Sequence, residues 1–355
     1  MPGLIDCHVH LASHGDGLDL GKILTTPPSL SVLTCVVSAR KTLDAGFTTV
    51  RDAGMAPASV RTAIEQGYFP GPRLQVAITI LSQTGGHADD HFPCGAYVRW
   101  VKQDDIPSEV VDGVEPMRLR VREILRAGAD WIKICTSGGV LSPNDDPNHA
   151  HFTVDEIRAC VEEAARGGRR VMSHAQAADG IKNALRAGVY SIEHGIYLDE
   201  DGIELMLDGG NPLVPTLVAP IWVERHAAAG RMAPFAATKA RLVAKDHRAN
   251  IRRAIEAGVK VAFGTDTGVG PHGSNGEEFL LLAELGMSPL DAIRSATTVA
   301  AGVIGLGGQV GTLAEGAWGD LIGVPGNPLE NLELVARPEN VQLVVKGGAA
   351  VKTRL

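Results

Sequence analysis

Short apolar, β-branched runs alternate with longer amphipathic segments along most of this chain, and this alternation restricts the fold more than any other feature. Several runs follow an Ala-Gly or Gly-Gly pair, as at 45–46 and 187–188, which is typical of a glycine that ends a helix before the next strand. Eight strands are predicted in this way: 4–9, 48–52, 73–79, 131–136, 169–175, 191–195, 213–217 and 260–266.

The number and spacing of these units favour the α/β class and, within it, a TIM (β/α)8 barrel. A barrel of this kind takes roughly 250 residues or more, as here, and no GxGxxG stretch follows a strand, which argues against a dinucleotide-binding sheet. We assign residues 1–308 to the barrel. After residue 308 short strands and turns replace the pattern, so residues 309–355 are predicted to form a small β appendage.

Residues 81–116 form a long insertion rich in glycine, proline and polar side chains. The insertion follows the third predicted strand, so in a barrel it lies over the C-terminal face, where active sites are found. Loops of this length are commonly either functional lids or disordered segments.

The composition narrows the classes of partner and compartment. A formal charge of −8 without a basic run argues against a nucleic-acid partner, and no stretch approaches the roughly 18 apolar residues of a membrane-spanning helix. The five cysteines are scattered without CxxC spacing, which predicts free and mostly buried thiols in a reducing compartment. No signal peptide is visible, so we expect a cytoplasmic protein, although a signal peptide on a longer N-terminus stays open.

Metal-competent side chains recur at the C-terminal ends of five predicted strands. The first of them close the opening stretch GLIDCHVHL, where two histidines one residue apart share a face of the strand. Strand ends converge on one face of a barrel, and imidazole and carboxylate groups are the ligands of zinc-like ions. The sequence therefore predicts a metal site formed by His8, His10, Lys133, His174, His194 and Asp266.

Lys133 needs a separate explanation, because a cationic lysine cannot ligate a metal. Its neighbours Ile132 and Ile134 predict an apolar setting, which lowers the pKa of an amine. A neutral lysine can react with CO₂ to form a carbamate, an anion with two oxygens that is able to bridge two metal ions.

With these residues in place, the chain resembles the amidohydrolase superfamily, in its metal-dependent, imidazolonepropionase-like branch. That branch includes Xaa-Pro dipeptidases, arginine carboxypeptidases and ochratoxin-type amidases. The matching stretches span nearly the whole chain: PGLIDCHVHL, AGFTTVRDAG, SQTGGH, AGADWIKICTSGGVLSP, SHAQAADGIKNALRAGVYSIEHG, PTLVAP, AFGTDTG and GTLAEGAWGDLIGVPGNPLEN.

The resemblance implies two divalent metal ions, with zinc as the expected metal. His8, His10 and Asp266 would hold the more buried ion, and His174 and His194 would hold the second. The carbamate on the strand lysine and a hydroxide would bridge the two ions.

The resemblance also implies a reaction, in which the bridging hydroxide attacks the amide or peptide bond of a dipeptide or an N-acyl amino acid. Asp266 would carry the hydroxide proton to the leaving nitrogen. His87 of SQTGGH would stabilise the carbonyl oxygen as it gains charge, unless this loop histidine faces solvent.

Two further residues are candidates for substrate binding. Gln176 stands where several dipeptidases of this branch have a tyrosine, which puts recognition of a free α-carboxylate in doubt. His272 lies in the loop GVGPHGSN after the last predicted strand. We expect three other histidines, His14, His226 and His247, to lie at the surface.

Members of this branch normally carry a segment before PGLID that forms half of the small β-sandwich. That half is absent from this chain, so we expect residues 309–355 to be the C-terminal part of an incomplete appendage. Uncovered strand edges and apolar surface favour association, and we therefore expect a homo-oligomer.

Two alternatives to a binuclear hydrolase stay open. A mononuclear deaminase or cyclic-amide hydrolase lacks the bridging lysine and commonly has a glutamate soon after the fifth-strand histidine, whereas residues 175–179 read AQAAD. A non-catalytic barrel usually loses metal ligands. In each catalytic case the partner is a small-molecule amide or related compound, with neither nucleic acid nor membrane involved.

Overall fold

Parallel strands whose side chains are buried on both faces form the centre of the molecule. The computed structural model describes residues 1–97 and 106–354. Every residue of β1, β2, β5 and β7 is buried, as expected for parallel strands with both faces covered. The strands are β1 (Leu4–Val9), β2 (Phe47–Asp52), β3 (Arg73–Val76), β4 (Ile80–Leu81), β5 (Trp131–Cys135), β6 (Arg170–Ala175), β7 (Ser191–His194), β8 (Leu213–Val214), β9 (Leu321–Gly323), β10 (Leu343–Lys346) and β11 (Ala349–Thr353).

Helices follow most of these strands. They are α1 (Leu20–Thr25), α2 (Pro28–Asp44), α3 (Ala58–Glu65), α4 (Val114–Arg126), α5 (Val154–Arg166), α6 (Ala178–Arg186), α7 (Glu200–Gly209), α8 (Val218–Ala228), α9 (Pro234–Glu256), α10 (Glu277–Glu284), α11 (Pro289–Arg294), α12 (Ala300–Val303) and α13 (Glu333–Ala336), with a π-helical turn at Ser295–Val299. None of the helices described is long and apolar enough to cross a membrane.

Helix α5 illustrates how the sequence produces one strand–helix unit. Thr153 caps the first turn in a reciprocal capping box with Glu156, and Ile157 and Cys160 turn inward at helical spacing. The chain then leaves the helix through Gly168 at φ 68°, a left-handed conformation that glycine adopts without steric cost. This confirms the predicted role of the glycine pairs before strands.

The strands form two parallel sheets, in the orders β1-β2-β3 and β4-β5-β6-β7-β8, and one antiparallel sheet in the order β11-β10-β9. A hydrogen bond from the Asp130 amide to the Val76 carbonyl, 2.8 Å long, links the ends of β3 and β5. The extended segment 260–267 lies between β8 and β1, since the Leu213 amide donates to Lys260 and the Cys7 amide donates to Phe263, each at 2.9 Å.

Three predicted strands differ from the structure by more than one residue. The predicted strand 73–79 stops at Val76 because Ile78 has φ 67°, and a separate strand β4 follows it. The predicted strand 213–217 stops after two residues, because Pro215 has no amide hydrogen and Thr216 has φ 50°. The predicted strand 260–266 forms isolated bridges instead of a regular ladder.

The insertion predicted over 81–116 lies next to these strand ends. Its described parts begin at β4 and lead into α4, and a bridge pairs Ser82 with Val110. Residues 98–105 of the insertion lie outside the described residues.

The antiparallel sheet lies within residues 309–355, the segment predicted to form a C-terminal appendage, and the start of the chain contacts it. The Met1 amino group donates to the Ile322 carbonyl at 2.9 Å, and Pro2 forms a bridge with Leu321. The boundary at residue 308 stays a prediction. All five cysteines are free, and all except Cys94 are buried, as predicted.

Candidate metal centre

A cavity of about 230 Å³ opens at the carboxyl ends of the parallel strands. Eight of the nine site residues predicted from the sequence line it: His8, His10, His87, Lys133, His174, Gln176, His194 and Asp266. The ninth, His272, lies outside this lining. The topology thus gathers residues from distant parts of the sequence, as strand ends do in parallel α/β folds.

The backbone around the cavity is strained. Among the described non-glycine residues, six have a positive φ, and five of these line the cavity: Met55, Ile78, His194, Thr216 and Asp266. This conformation is uncommon for residues with a side chain, particularly the β-branched Ile78. Strain of this kind concentrates at functional sites, where the surrounding structure holds it in place.

His8, His10 and Asp266 form a group in which one ligand atom from each lies within 4.8 Å of the others. The Nε2 atoms of His8 and His10 are 3.5 and 3.1 Å from Oδ1 of Asp266. His8 Nδ1 lies 2.7 Å from a carboxylate oxygen of Glu193, and His10 Nδ1 lies 3.0 Å from the Gly54 carbonyl. Both Nδ1 atoms therefore donate, which leaves both Nε2 lone pairs directed at the Asp266 carboxylate in the neutral rings.

This donor set fits a metal ion. Lone pairs and a carboxylate that face each other repel unless a cation lies between them, and imidazole with carboxylate is a common set of zinc ligands. Without a metal, a proton can take that place: burial lowers the pKa of His10, but the hydrogen bond and charge of Asp266 outweigh burial and raise it. Burial likewise opposes ionisation of Asp266, yet the contacts with His10 and His8 lower its pKa, so it stays a carboxylate.

Lys133, His174 and His194 lie beside this group. The Lys133 ammonium nitrogen is 3.3 Å from His8 Nε2, and the His174 and His194 rings are 4.6 Å apart. His174 donates through Nε2 to the Gly138 carbonyl at 3.1 Å, and His194 Nδ1 lies 2.7 Å from the Thr216 hydroxyl. His174 thus has Nδ1 available as a ligand, and His194 has Nε2 available when its Nδ1 is the donor.

Electrostatics keep these groups in the forms that metal binding requires. Burial is the main reason that the pKa values of His8, His174 and His194 lie well below the ordinary histidine value, so the rings are neutral. Burial also lowers the pKa of Lys133, and Glu193 only partly offsets this effect. A lowered pKa increases the fraction of neutral amine, which is the form that reacts with CO₂.

A buried ion pair beneath His8 was not predicted from the sequence. Arg51 on β2 contacts Glu193 on β7 at 2.9 Å, and both side chains are completely buried. Arg51 also donates to the Cys7 carbonyl at 2.6 Å, and the Ser191 hydroxyl donates to Glu193 at 2.6 Å. Glu193 therefore orients the His8 ring, and Arg51 neutralises the charge of Glu193. The only signal in the sequence was a charged residue inside each of two otherwise buried strands.

His87, Gln176 and His272 differ in their surroundings. His87 stacks on His174 with ring centroids 4.1 Å apart, so this loop histidine lies at the site. The Gln176 side-chain oxygen is buried without a hydrogen-bond partner among the described residues. His272 is buried, and its Nε2 lies 3.2 and 3.1 Å from the carbonyls of His10 and Ser13, so it supports the loop that carries His10.

The prediction that His226 and His247 lie at the surface is wrong, whereas His14 is exposed as predicted. His226 Nε2 bonds to the Val269 carbonyl, and His247 Nε2 bonds to the carbonyl of His194 at 3.0 Å. His247 belongs to the buried face of α9, with Val243 four residues before it and Ile251 four residues after it. That spacing was a signal for burial.

The cavity walls beyond the polar centre are mainly apolar. Side chains from the insertion, the loop after β5 and the helices α8 and α9 with their connection contribute, including Phe92, Val140, Leu141, Val223 and Met232. Among the lining residues that the structure describes, none is an arginine. The cavity therefore suits a small molecule with an apolar group beside the bond that faces the metal centre.

A sequence model for the amidohydrolase family matches residues 1–351. The chain belongs to the amidohydrolase family. Ochratoxinase from Aspergillus niger is 36% identical over 365 residues, covering 99% of this chain and 75% of that protein. The crystal structure of a prolidase complexed with N-methylphosphonate-L-proline has 41% sequence identity and a TM-score of 0.91, covering 99% of this chain and 86% of the other. An Xaa-Pro dipeptidase with bound methionine has 35% identity and a TM-score of 0.88.

These similarities confirm the predicted resemblance and establish an amide-hydrolysing enzyme with a mixed α/β fold of parallel sheets. The family is generally metal-dependent, in agreement with the His8, His10 and Asp266 group.

Proposed function

We propose that this amidohydrolase is a binuclear metal enzyme that cleaves the amide bond of a dipeptide or an N-acyl amino acid. The observation that carries the proposal is the arrangement of lone pairs: His8 and His10 direct Nε2 at Asp266, with Lys133 3.3 Å from His8. A second pair of neutral histidines follows on the neighbouring strands. Six potential ligands from five chain segments are more than one zinc-like ion needs.

We also infer that the two parallel sheets and the segment 260–267 form one eight-stranded barrel, in which β3 and β4 are two parts of a single strand. The hydrogen bonds between this segment and its neighbours β8 and β1 support closure on one side. The Asp130–Val76 bond supports closure on the other. A barrel explains why all the candidate ligands lie at one end of the strands.

The roles of the ligands follow from their contacts. His8, His10 and Asp266 would hold one ion, His174 and His194 the second, and Lys133 as a carbamate would lie between the two. When bound, two such ions lower the pKa of a shared water and polarise a carbonyl, chemistry that side chains alone supply poorly.

The chain's own groups would complete the reaction. Asp266 remains a carboxylate at neutral pH and contacts both first-strand histidines, so it is placed to take the proton of the attacking water and deliver it to the leaving nitrogen. His87, stacked on His174, would donate a hydrogen bond to the carbonyl oxygen as charge develops there. The strained backbone at Asp266 holds its carboxylate in this position.

The substrate class rests on the cavity and on what the relatives are named for. The solved relatives include a prolidase and an Xaa-Pro dipeptidase, and the fungal relative is an ochratoxinase, so amide substrates with a bulky apolar or prolyl part are the first to test. The apolar wall around Phe92 and Leu141 supports this choice. The described lining contains no arginine that could pair with a second carboxylate of the substrate, which favours substrates whose N-acyl group carries no such carboxylate.

A mononuclear enzyme is the second candidate, because only His8, His10 and Asp266 form a compact three-ligand group among the described residues. Metal content separates the two. We expect about two ions per chain by plasma mass spectrometry after reconstitution with zinc and bicarbonate, and hydrolysis of N-acyl amino acids or dipeptides.

Lys133→Ala should reduce the metal content to about one ion and turnover by at least about 100-fold, because the group between the ions is lost. Lys260→Ala, at an exposed lysine outside the cavity, is the matched control and should leave both unchanged. One ion per wild-type chain, or full turnover of Lys133→Ala, contradicts the binuclear proposal.

A further inference from the structure

A chain of polar side chains connects Nδ1 of His87 to helix α9. Its members are Ser142 and Asp145, on the loop after β5, and Lys239, near the start of α9. Ser142 falls within the matching stretch AGADWIKICTSGGVLSP, but the sequence analysis predicted no role for any of these three residues. Asp145 is the centre of the chain, because its side chain is 1% exposed and contacts both the imidazole side and the ammonium side.

The distances define the chain. His87 Nδ1 lies 2.8 Å from the Ser142 hydroxyl and 3.6 Å from Oδ2 of Asp145. The Ser142 hydroxyl makes a short hydrogen bond to Oδ1 of Asp145, and the Lys239 ammonium donates to the same carboxylate at 2.8 Å. The Gly139 amide donates to Oδ2 at 2.9 Å. The carboxylate is therefore held from three sides.

The position of one proton follows from these contacts. Burial raises the pKa of Asp145, but the nearby His87 ring and the hydrogen bonds from Lys239 and Ser142 outweigh burial and lower it, so the group is a carboxylate that can only accept. Ser142 has a single hydroxyl proton and gives it to Asp145. Its oxygen must then accept from His87, which means that His87 carries a proton on Nδ1. Nε2 is the ring atom that is left for the substrate.

The ring is also fixed by shape. It lies between His174 and Gly139, where a Cβ on the glycine would be 2.3 Å from Nδ1 and Cε1 of His87. The Lys239 ammonium also lies within hydrogen-bond distance of three carbonyls of the same loop, those of Gly139, Ser142 and Asp145, and shares its three protons among these and the Asp145 carboxylate. Helix α9 thus anchors the loop, and the loop carboxylate orients the imidazole.

We propose that Asp145, acting through Ser142, is a positioning residue that holds His87 with Nδ1 as a donor to the loop and Nε2 toward the substrate carbonyl. The expected effect on rate rests on the proposed amide hydrolysis. The expected proton on Nδ1 of His87 does not, because it can be observed without turnover. Asp145 itself touches neither substrate nor metal ligand.

Asp145→Asn tests the effect on rate, with Asp146→Asn as the matched control, because Asp146 is an exposed neighbour that contacts Asn148 instead of His87. We expect Asp145→Asn to lower kcat roughly 10- to 100-fold with KM changed less than about threefold, since orientation of a group acting in the transition state is lost. In a His87→Asn background the same substitution should lower kcat no further, because the residue that it positions is gone. Additive losses, or a change in KM alone, would refute the positioning role.

The second measurement reports on the imidazole directly. In protein labelled with ¹⁵N-histidine, we expect His87, assigned through His87→Asn, to show a protonated Nδ1 in the wild type. Asp145→Asn and Ser142→Ala should both move the Nδ1 signal of His87 toward the value of a ring that exchanges between its two tautomers. Ser142→Ala is included because it keeps the Asp145–Lys239 pair and so tests the proposal even if Asp145→Asn folds poorly. An unchanged signal in a folded variant overturns the proposal. An enzyme that hydrolyses no amide but shows the expected signals contradicts the proposed function alone.

Discussion

Removing Arg51 should destabilise this protein more than removing any exposed arginine, because it leaves the Glu193 carboxylate buried without its counter-ion. Both side chains of the pair are inaccessible to solvent, and they are 2.9 Å apart. Breaking such a pair from one side costs about 3–5 kcal/mol. For 355 residues the unfolding entropy near the midpoint is about 0.75 kcal/mol/K, so Arg51→Met should lower Tm by about 4–7 °C.

The assay is thermal and urea unfolding of the metal-free protein, so that metal binding does not contribute. Arg248→Met is the matched control, because Arg248 pairs with Glu284 at 2.7 Å with both side chains at least 40% exposed. Exposed pairs contribute at most about 1 kcal/mol. The double variant Arg51→Met/Glu193→Gln should recover at least about 2 kcal/mol relative to Arg51→Met, since it removes the uncompensated charge while an amide can still bond to Ser191.

Equal losses of stability in Arg51→Met and Arg248→Met would show that Arg51 and Glu193 are not an isolated buried charge pair. A double variant whose loss equals the sum of the single losses would show the same.

The same variants test the link to the candidate metal centre. Glu193→Gln weakens the acceptor for His8 Nδ1, and metal affinity measured by competition with a chromogenic chelator should fall by roughly 10- to 100-fold. Unchanged affinity would mean that His8 is oriented by other contacts.

Three further predictions concern single residues. Burial raises the pKa of Glu278 to about 8, although two backbone amides donate to its carboxylate, so the folded state keeps a proton that the unfolded state loses, and stability should fall as pH rises from about 4.5 to 8. In urea titrations, the free energy of unfolding should differ less between pH 5 and pH 8 in Glu278→Gln than in the wild type, and an equal difference contradicts this. Thr153→Ala removes the α5 capping box and should cost about 1 kcal/mol in the same assay, whereas a loss below about 0.3 kcal/mol contradicts the cap. Ellman's reagent should modify Cys94 quickly and the four buried thiols only on unfolding, and several fast thiols would contradict the burial.

The sequence was sufficient to predict elements that local patterns determine. β1 and β7 end at or next to candidate ligands, and both lie where the sequence predicted strands. The capping residue Thr153 and the glycine at 168 likewise mark the ends of α5. In these cases residues close in sequence decide the outcome, so no knowledge of the rest of the chain is needed.

Contacts between distant residues could not be predicted in the same way. Arg51 and Glu193 are 142 positions apart, and Lys239 and Asp145 are 94 positions apart. The sequence did not indicate that these charges pair with each other, because the pairing depends on how distant strands and helices pack. His247 is an intermediate case, because the apolar spacing of α9 indicated its burial although its partner, the carbonyl of His194, did not follow from the sequence.

The strand predictions that were wrong share a location with the chemistry. Ile78 and Thr216 lie where two of the predicted strands stop, and Asp266 is the last residue of the third; each has a positive φ and lines the cavity. Ile78 and Thr216 are β-branched and favour extended backbone, so the fold holds these two residues against their local preference. The result is that the strands turn sharply at the cavity and direct the Asp266 carboxylate toward His8 and His10. The backbone therefore departs from the local sequence preference at the cavity, because the candidate metal centre requires a geometry that a regular strand does not provide.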